Sequence, residues 1–309
     1  MPTSETDRLI AAARTWSEAP CALATVIATW GSAPRPRGSH MLVHADGQFE
    51  GSVSGGCVEG AVLQAAAETI VDGGPRLLDY GVADAAAWEV GLPCGGEIRV
   101  LVQRVGGDGF PPALFDAIAA ARARGEALPV TTELASGRSA VGDAPGDGRF
   151  VNRYAPPRRL LIVGAVQIAQ SLAGFARALD VAPTLIDPRR RFLTEERFPG
   201  VTLDDRWPDA AVAGAAPDAA TAVVTLSHDP KIDDPALVAA LARPTGYVAA
   251  LGSRRSHAAR LARLAALGVA EADLARIDAP AGLAIGARGP AEIALSIAAG
   301  MTAALSASA

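Results

Sequence analysis

The sequence predicts an α/β protein of two domains, a mixed α/β domain followed by a Rossmann-like domain with a doubly wound parallel sheet. In the second half of the chain, apolar runs typical of buried strands alternate with helical patterns of ten or more residues, which indicates a parallel sheet with helices on both faces. Near the middle, these patterns give way to a stretch rich in Pro, Gly and charge. We therefore expect a first domain over residues 1–142, a linker over 143–157 and a Rossmann-like domain over 158–309.

Composition restricts the class of function. The chain has 309 residues, of which 50% are apolar and 5% aromatic, and a formal net charge of -5 at pH 7. This charge argues against a nucleic-acid partner, because phosphate backbones attract basic surfaces. The N-terminus predicts an amphipathic helix rather than a signal peptide, and the apolar stretch after Glu292 predicts a packed helix rather than a membrane span. The three cysteines form no disulfide framework, so we expect reduced thiols and a cytoplasmic protein with no membrane partner.

The first half mixes strands and helices. Apolar and alternating runs predict strands over residues 22–30, 40–44 and 97–105 and near Val130 and Ala140. Apolar residues at helical spacing predict a helix that begins at Cys57 and ends at an Asp-Gly-Gly sequence, and another over residues 112–124.

The second half is more regular. The predicted strands are RLLIVGA, APTLIDP, TAVVTLS and GYVAALGS. The predicted helices between and after them are QIAQSLAGFARAL, DDPALVAALA and SHAARLARLAALG. This order of elements is the basis for the parallel sheet.

Two of the three cysteines stand beside glycine pairs. The two groups are Gly55, Gly56 and Cys57 in GGCVEG and Cys94, Gly95 and Gly96 in LPCGGEIRV. Free backbone N–H groups and the helix dipole at a helix start stabilise a thiolate, and glycine lets a ligand approach the backbone closely. Both positions therefore suit a reactive or ligating thiolate, although small buried thiols in tight turns are the alternative. Cys21 lies within an apolar strand, and we expect it to be buried.

The segment GSAPRPRG, residues 31–38, connects two predicted strands and carries Arg35 and Arg37 on a loop stiffened by proline. Arginine suits bidentate binding of phosphate, and the alternative is a solvated loop. Glu59 and His40 are close enough in sequence to add polar contacts. The chain has no CxxC or HExxH pattern, so a structural zinc site is not expected.

The segment LLIVGAVQIAQSLA places Gly164 between a buried strand and a helix, as in a dinucleotide site. The GxGxxG fingerprint needs a second glycine where Val166 stands, and the valine side chain would occupy the space in which backbone approaches a pyrophosphate. Asp187, at the end of the next strand, has the spacing used to bind a ribose 2′-hydroxyl. We expect a dinucleotide-type fold in which Val166 argues against tight binding of NAD(P).

Polar residues also follow two later strands of this half. His228 and Asp229 follow the third strand, and Ser253, Arg254 and Arg255 follow the fourth. They could hold an anion at the carboxyl edge of the sheet, or Ser253 could cap a helix beside solvated arginines.

Together these motifs resemble the XdhC/CoxI family, the accessory proteins of xanthine dehydrogenase and related molybdenum hydroxylases. In the first half the resemblance rests on GSAPRPRGSHMLV, GSVSGGCVEG and GLPCGGEIRV. In the second half it rests on LIVGAVQIAQSLA, LIDPRRRF with RFPG, VVTLSHDPKID, YVAALGSRRSHAARL and APAGLAIGARGPAEIALSIAA. It covers nearly the whole chain in the family's order. The chain departs from the family pattern where Val166 and Gln167 stand in place of glycine and histidine.

The resemblance implies a chaperone that binds molybdenum cofactor, as molybdopterin or its dinucleotide form. It would protect the cofactor while a cysteine desulfurase adds the terminal sulfide, and then deliver it to an apo molybdenum hydroxylase. Cys57 and Cys94 with their glycines would hold the molybdenum or take part in sulfuration, and Arg35 and Arg37 would contact phosphate. We also expect a homodimer. The alternatives are an NAD(P)-dependent or dithiol oxidoreductase that uses the Rossmann-like domain, and a scaffold whose second domain serves dimerisation and docking.

Overall fold

The structure is a computed structural model that describes residues 4–81 and 96–307. The chain divides into two compact units, Met1–Pro156 and Pro157–Ala309. The predicted fold class is confirmed, since a mixed α/β unit precedes a unit of Rossmann type.

The first unit contains helices and antiparallel strands. In chain order they are α1 (Glu5–Thr15), β1 (Cys21–Trp30), β2 (His40–His44), β3 (Phe49–Gly51), α2 (Glu59–Asp72), β4 (Arg76–Tyr80), β5 (Glu97–Arg104), α3 (Ala113–Ala123), β6 (Leu128–Glu133), β7 (Ser139–Val141) and β8 (Arg149–Tyr154). Five strands form a sheet in the order β3-β2-β1-β5-β4, and three form a second sheet in the order β7-β6-β8.

Helices cover both faces of the five-stranded sheet. Alternate residues of a strand point to opposite faces, so each strand supplies apolar side chains to both. Ala24 and Val26 of β1 pack with Val62 of α2 on one face. Leu23 of the same strand packs with residues of α1 and α3 on the other face. Cys21 belongs to this second cluster and is buried, as expected; burial, followed by the charge of Asp46, raises the pKa of its thiol.

His40 ties the two sheets of the first unit together. Its Nδ1 lies 2.9 Å from Thr25 Oγ1 in β1, and its Nε2 lies 2.9 Å from Tyr154 Oη and 3.1 Å from Asn152 Nδ2 in β8. Because Asn152 Nδ2 can only donate, Nε2 accepts and the proton of the neutral ring is on Nδ1. Burial lowers the pKa of His40 to about 4, so the ring is neutral at pH 7.

Residues 143–157, which we expected to be a linker, contain a strand. β8 pairs antiparallel with β6 from Leu128↔Tyr154 to Glu133↔Arg149, and therefore belongs to the second sheet of the first unit. The Pro and Gly residues of this stretch flank a strand of only six residues, which the composition of the whole segment concealed.

The second unit alternates strands and helices. In chain order they are β9 (Arg158–Val163), α4 (Gln167–Ala178), β10 (Val181–Ile186), β11 (Thr202–Asp204), α5 (Pro208–Ala215), β12 (Thr221–Thr225), α6 (Pro230–Leu241), β13 (Tyr247–Ala250), α7 (Arg254–Ala266), α8 (Glu271–Leu274), β14 (Ile277–Asp278) and α9 (Pro290–Ala307). The six strands form one sheet in the order β11-β10-β9-β12-β13-β14, and every pair is parallel.

This sheet is doubly wound, with one apolar cluster on each face. Residues of α4 and α9 pack on one face, and residues of α5, α6 and α7 pack on the other. The strand order reverses direction at β9, between β10 and β12, and such a switch point opens a crevice at the carboxyl edge. Within the part of the chain that the structure describes, no helix has the length and apolar character needed to cross a membrane.

Several elements that the sequence did not predict are short. β3, β11 and β14 have two or three residues each, and α8 has four, too few to show a period. The helix expected from Cys57 begins two residues later, at Glu59.

Candidate functional site

Antiparallel pairing brings several connections of the first unit to one edge of its five-stranded sheet. Because neighbouring strands run in opposite directions, the end of β1, the start of β2 and the end of β3 lie at the same edge, as do the end of β4 and the start of β5. This edge, called the loop edge below, carries residues 31–39 between β1 and β2 and residues 52–58 between β3 and α2. Gly81 and Gly96, which follow β4 and precede β5, also lie there.

Cys57 lies at the loop edge on a loop whose shape depends on glycine. Gly55 and Gly56 have φ of 77° and 118°, in the region that disfavours residues with a side chain. Among the described residues, nothing lies within 4 Å of the position that a Cβ would occupy on either glycine. The Cys57 side chain is exposed two residues before α2 begins. A ligand of some size can therefore reach both the sulfur and the adjacent backbone.

Glu59 holds this loop together. Its Oε1 accepts hydrogen bonds from Ser52 Oγ at 2.6 Å and Ser54 N at 2.9 Å, and its Oε2 accepts from Gly56 N at 2.8 Å and from Ser54 Oγ. Burial by itself would raise the pKa of Glu59, but the hydrogen bonds from Ser52 and Ser54 lower it to about 2. We expected Glu59 to contact a cofactor; in the structure its oxygens accept hydrogen bonds from the loop.

Two further features of this cluster went unpredicted. Ser54 Oγ accepts a hydrogen bond from Val58 N at 2.9 Å, and so links the loop to the start of α2. Tyr80, the last residue of β4, is half-buried, and burial together with the charge of Glu59 raises its pKa to about 12. A carboxylate in the first turn of a helix, preceded by serines in a glycine-rich loop, is the sequence signal that could have indicated the serines. No local signal marks Tyr80, because only the folded sheet brings it close enough to feel the charge of Glu59.

The two arginines of the 31–39 loop differ in their surroundings. Arg35 forms an ion pair with Glu5 of α1, and its side chain is 26% exposed. Arg37 is exposed, and its guanidinium carbon lies 4.8 Å from the centroid of the Phe150 ring. Stacking on the ring orients Arg37 without using its N–H groups. Arg37 is therefore the more accessible of the two for an anion, and Arg35 holds the loop against α1.

Gly96 is needed where two loops touch. A Cβ built on Gly96 would lie 2.6 Å from Ser32 O and 2.8 Å from Ala33 N, closer than real Cβ atoms approach backbone. Gly96 therefore lies directly against the start of the loop over residues 31–39, called the arginine loop below. Cys94 and Gly95, the other members of this group, lie outside the described residues.

The metal ligands that we expected are Cys57 and Cys94, of which only Cys57 can be placed. Within residues 4–81 and 96–307, no group of three or more His, Cys, Asp and Glu side chains lies together in an arrangement that could hold a metal ion.

In the second unit, the glycine loop is closely packed and its acidic residue is already paired. Gly164 has φ of 107°, and a Cβ there would lie 2.8 Å from Ser227 N. Asp187 is fully buried; Oδ2 accepts from Ala165 N at 2.8 Å, and both oxygens accept from the Arg189 guanidinium. Burial would raise the pKa of Asp187, but the bonds from Arg189 lower it. Asp187, which has the spacing used to bind a ribose, fixes the loop that follows β9 through its bond from Ala165 N.

Val166 occupies the position that we identified as unfavourable for a pyrophosphate. It is the N-cap of α4 and packs against the core on that face of the sheet. The loop before it is also held by Arg197, whose Nη2 donates to Ala165 O at 2.9 Å. Arg197 and Asp187 thus both anchor the segment after β10 on the glycine loop, and Arg189 holds the Asp187 carboxylate in place.

Comparisons with known proteins agree with this architecture. Residues 160–301 match the family model described as XdhC Rossmann domain, and residues 16–81 match that of the XdhC and CoxI family. The molybdenum cofactor insertion chaperone PaoD of Escherichia coli (strain K12) is 31% identical over 284 residues, which cover 89% of this chain and 80% of PaoD. A probable xanthine dehydrogenase subunit from Bacillus subtilis (strain 168) is 25% identical over 306 residues, 89% of this chain and 90% of that protein. A crystal structure described as a xanthine dehydrogenase from Bacillus halodurans has the same fold, with a TM-score of 0.80, 24% identity and 96% coverage of both chains.

Proposed function

Because the chain belongs to the XdhC and CoxI family, we propose that it is a maturation factor for a molybdenum hydroxylase. It binds molybdenum cofactor at the loop edge of the first unit, protects it while the terminal sulfide is added, and delivers it to the apo-enzyme. The names of two relatives support this class of client, since one is a molybdenum cofactor insertion chaperone and the other a probable xanthine dehydrogenase subunit.

The observation that carries the proposal is the exposed Cys57 on a glycine loop beside which no other described residue lies within 4 Å of a glycine Cβ position. A soft thiolate is a suitable ligand for a sulfur-bound metal centre, and bare glycine backbone lets a bulky pterin approach. The residues present therefore fit the chemistry of the cofactor, whose molybdenum centre is what the client enzyme requires.

The candidate residues of the first unit have different roles in the proposed function. Cys57 supplies the sulfur ligand, and Arg37, which stacks on Phe150 through its face rather than its N–H groups, binds the phosphate of the pterin. Glu59 does not touch the cofactor but holds the loop in the shape that presents Cys57. Cys94 completes the thiol pair in this proposal.

The partners follow from the same role. A cysteine desulfurase supplies the sulfur, an apo molybdenum hydroxylase receives the cofactor, and the protein acts as a homodimer. The bound form is molybdopterin or its dinucleotide.

Two features argue against the alternative of an NAD(P)-dependent oxidoreductase. The Val166 side chain stands at the N-terminus of α4, and the carboxylate of Asp187 is fully used by Ala165 and Arg189. A ribose hydroxyl would have to displace a buried, charge-assisted contact.

The test is anaerobic loading with molybdenum cofactor, followed by quantification of molybdenum and pterin on the purified protein. We expect stoichiometric loading of the wild type, and a loss of about tenfold in affinity, or about 1.4 kcal/mol, for Cys57→Ala and for Cys94→Ala. Cys21→Ala is the matched control, because it removes the buried third thiol and should load like the wild type.

Failure of the wild type to load, or full loading of both Cys57→Ala and Cys94→Ala, would contradict the proposed site. Equal losses in all three cysteine variants would attribute the effect to folding rather than to ligation.

A further inference from the structure

The second unit contains a small pocket at the carboxyl edge of its parallel sheet. It lies between the loop that joins β12 to α6 and the first turns of α7, and has a volume of about 140 Å³. Its lining includes His228, Asp233, Ser256, Arg260 and Arg263. We call it the α6–α7 pocket. Ser256 is exposed, so the pocket communicates with solvent.

Arg260 is the unusual feature of this pocket. Its side chain is only 4% exposed, and its one hydrogen bond among the described residues runs from Nη2 to Leu251 O at 2.8 Å. Its Nε and Nη1 are buried and have no hydrogen-bond partner in the same part of the chain. A guanidinium is rarely buried without acceptors for its N–H groups, because the desolvated charge is costly.

The neighbouring acids, Asp233 and Asp234, attract the charge of Arg260 but form no ion pair with it in the described part of the chain. Asp234 is paired with Arg263, whose Nε and Nη2 donate to it at 2.6 and 3.1 Å. Asp233 Oδ1 accepts from Ser227 Oγ at 2.7 Å, and no ion pair joins either acid to Arg260 within the described part of the chain. Burial raises the pKa of Asp233 and lowers that of Arg260, and the attraction between the two charges opposes both shifts without cancelling them.

A second unpartnered polar group lies next to a lining residue in the chain, and one lining residue has a strained backbone. His257, three residues before Arg260 on α7, also has a buried Nδ1 without a partner in the described structure. His228, which lines the pocket, adopts φ of 62°, a conformation that costs free energy for a residue with a side chain.

We propose that the α6–α7 pocket binds a small oxyanion, a phosphate or carboxylate group of a larger ligand, through Nε and Nη1 of Arg260. Water in a space of this size would satisfy the N–H groups but would leave the buried positive charge unpaired. An anion supplies both acceptors and the opposite charge. The proposal concerns the second unit and does not depend on cofactor binding at the loop edge.

The test uses the full chain and two separate probes, inorganic phosphate and acetate, titrated by calorimetry. We expect saturable binding of at least one probe, weakened about tenfold or more in Arg260→Gln. In Asp233→Asn, removal of the opposing negative charge should tighten binding severalfold, while the asparagine oxygen can still accept from Ser227. Arg138→Gln is the matched control: it removes one exposed arginine charge in the first unit and should bind like the wild type.

Binding of phosphate alone would support a phosphorylated ligand, and binding of acetate alone a carboxylate. Absence of saturable binding of both probes, or unchanged affinity in Arg260→Gln, would overturn the proposal. If Arg260→Gln does not fold, Asp233→Asn decides, because unchanged affinity there would also contradict an anion beside Arg260.

Discussion

At the scale of single residues, hydrogen bonds and ion pairs distinguish two groups of side chains. One group holds the loops of the site in place, and the other is accessible to a ligand. Glu59, Asp187 and Arg35 all have polar side chains in motifs that the sequence associated with binding, yet each is engaged by the protein itself. Cys57 and Arg37 belong to the same motifs and have exposed side chains. Sequence could nominate these residues but could not separate the two groups.

We predict that Glu59→Gln destabilises the protein by about 2 kcal/mol, because a charged acceptor of several hydrogen bonds becomes neutral. Urea unfolding at pH 7 measures this difference. Asp116→Asn, at an exposed carboxylate paired with Arg14, should change the stability by less than about 0.5 kcal/mol.

The contribution of Glu59 should depend on pH in a defined direction. Its pKa is about 2 in the folded protein and has an ordinary value of 4.5, so the stabilisation is present above pH 4.5 and is lost as the pH falls toward 2. The difference between wild type and Glu59→Gln should shrink over this window. A difference that stays constant between pH 7 and pH 2 would contradict the assignment.

At the scale of elements, strand ends determine which loops meet. β1 and β5 pair antiparallel up to Trp30↔Glu97, which sets Gly96 directly beside the chain that leaves β1. Gly96 therefore has a packing reason that is independent of any ligand. The glycine pair before Cys57 has a different reason, namely its positive φ angles.

We predict that Gly96→Ala destabilises the protein by about 2 kcal/mol, because the new Cβ would collide with the backbone of Ser32. A side chain could rotate away from such a collision, but the backbone cannot. It should also reduce cofactor loading, since the arginine loop must shift. Gly60→Ala is the control: Gly60 lies in α2 with open space around it and should be neutral or stabilising by less than about 1 kcal/mol. Equal stability of the two variants, measured by urea unfolding, would argue against the contact.

At the scale of the whole molecule, each unit has apolar clusters of its own. Those of the first unit lie on both faces of its five-stranded sheet, and those of the second lie on both faces of the parallel sheet. The boundary between the units falls between Pro156 and Pro157. A core on each side of the boundary is the condition for independent folding.

We therefore predict that residues 1–156 and residues 157–309 each fold alone, as cooperative thermal unfolding would show. The first fragment should load molybdenum cofactor as the full chain does, and the second should not. A first fragment that folds but does not load would mean that the loop edge is insufficient for binding.

The sequence by itself determined the fold class, most of the longer elements and the motifs at which chemistry is expected, because periodicity and turn residues are local properties of the chain. It also identified Cys21 as buried and Val166 as the departure in the glycine loop. The tertiary structure decided which polar groups are already paired. Arg35 pairs with Glu5 of α1, Asp187 accepts from Ala165 N in the loop after β9, and Arg260 lies buried with two nitrogens that have no partner in the described part of the chain. Such partners come from residues far apart in the chain, and no local pattern encodes whether a desolvated charge finds an opposite one.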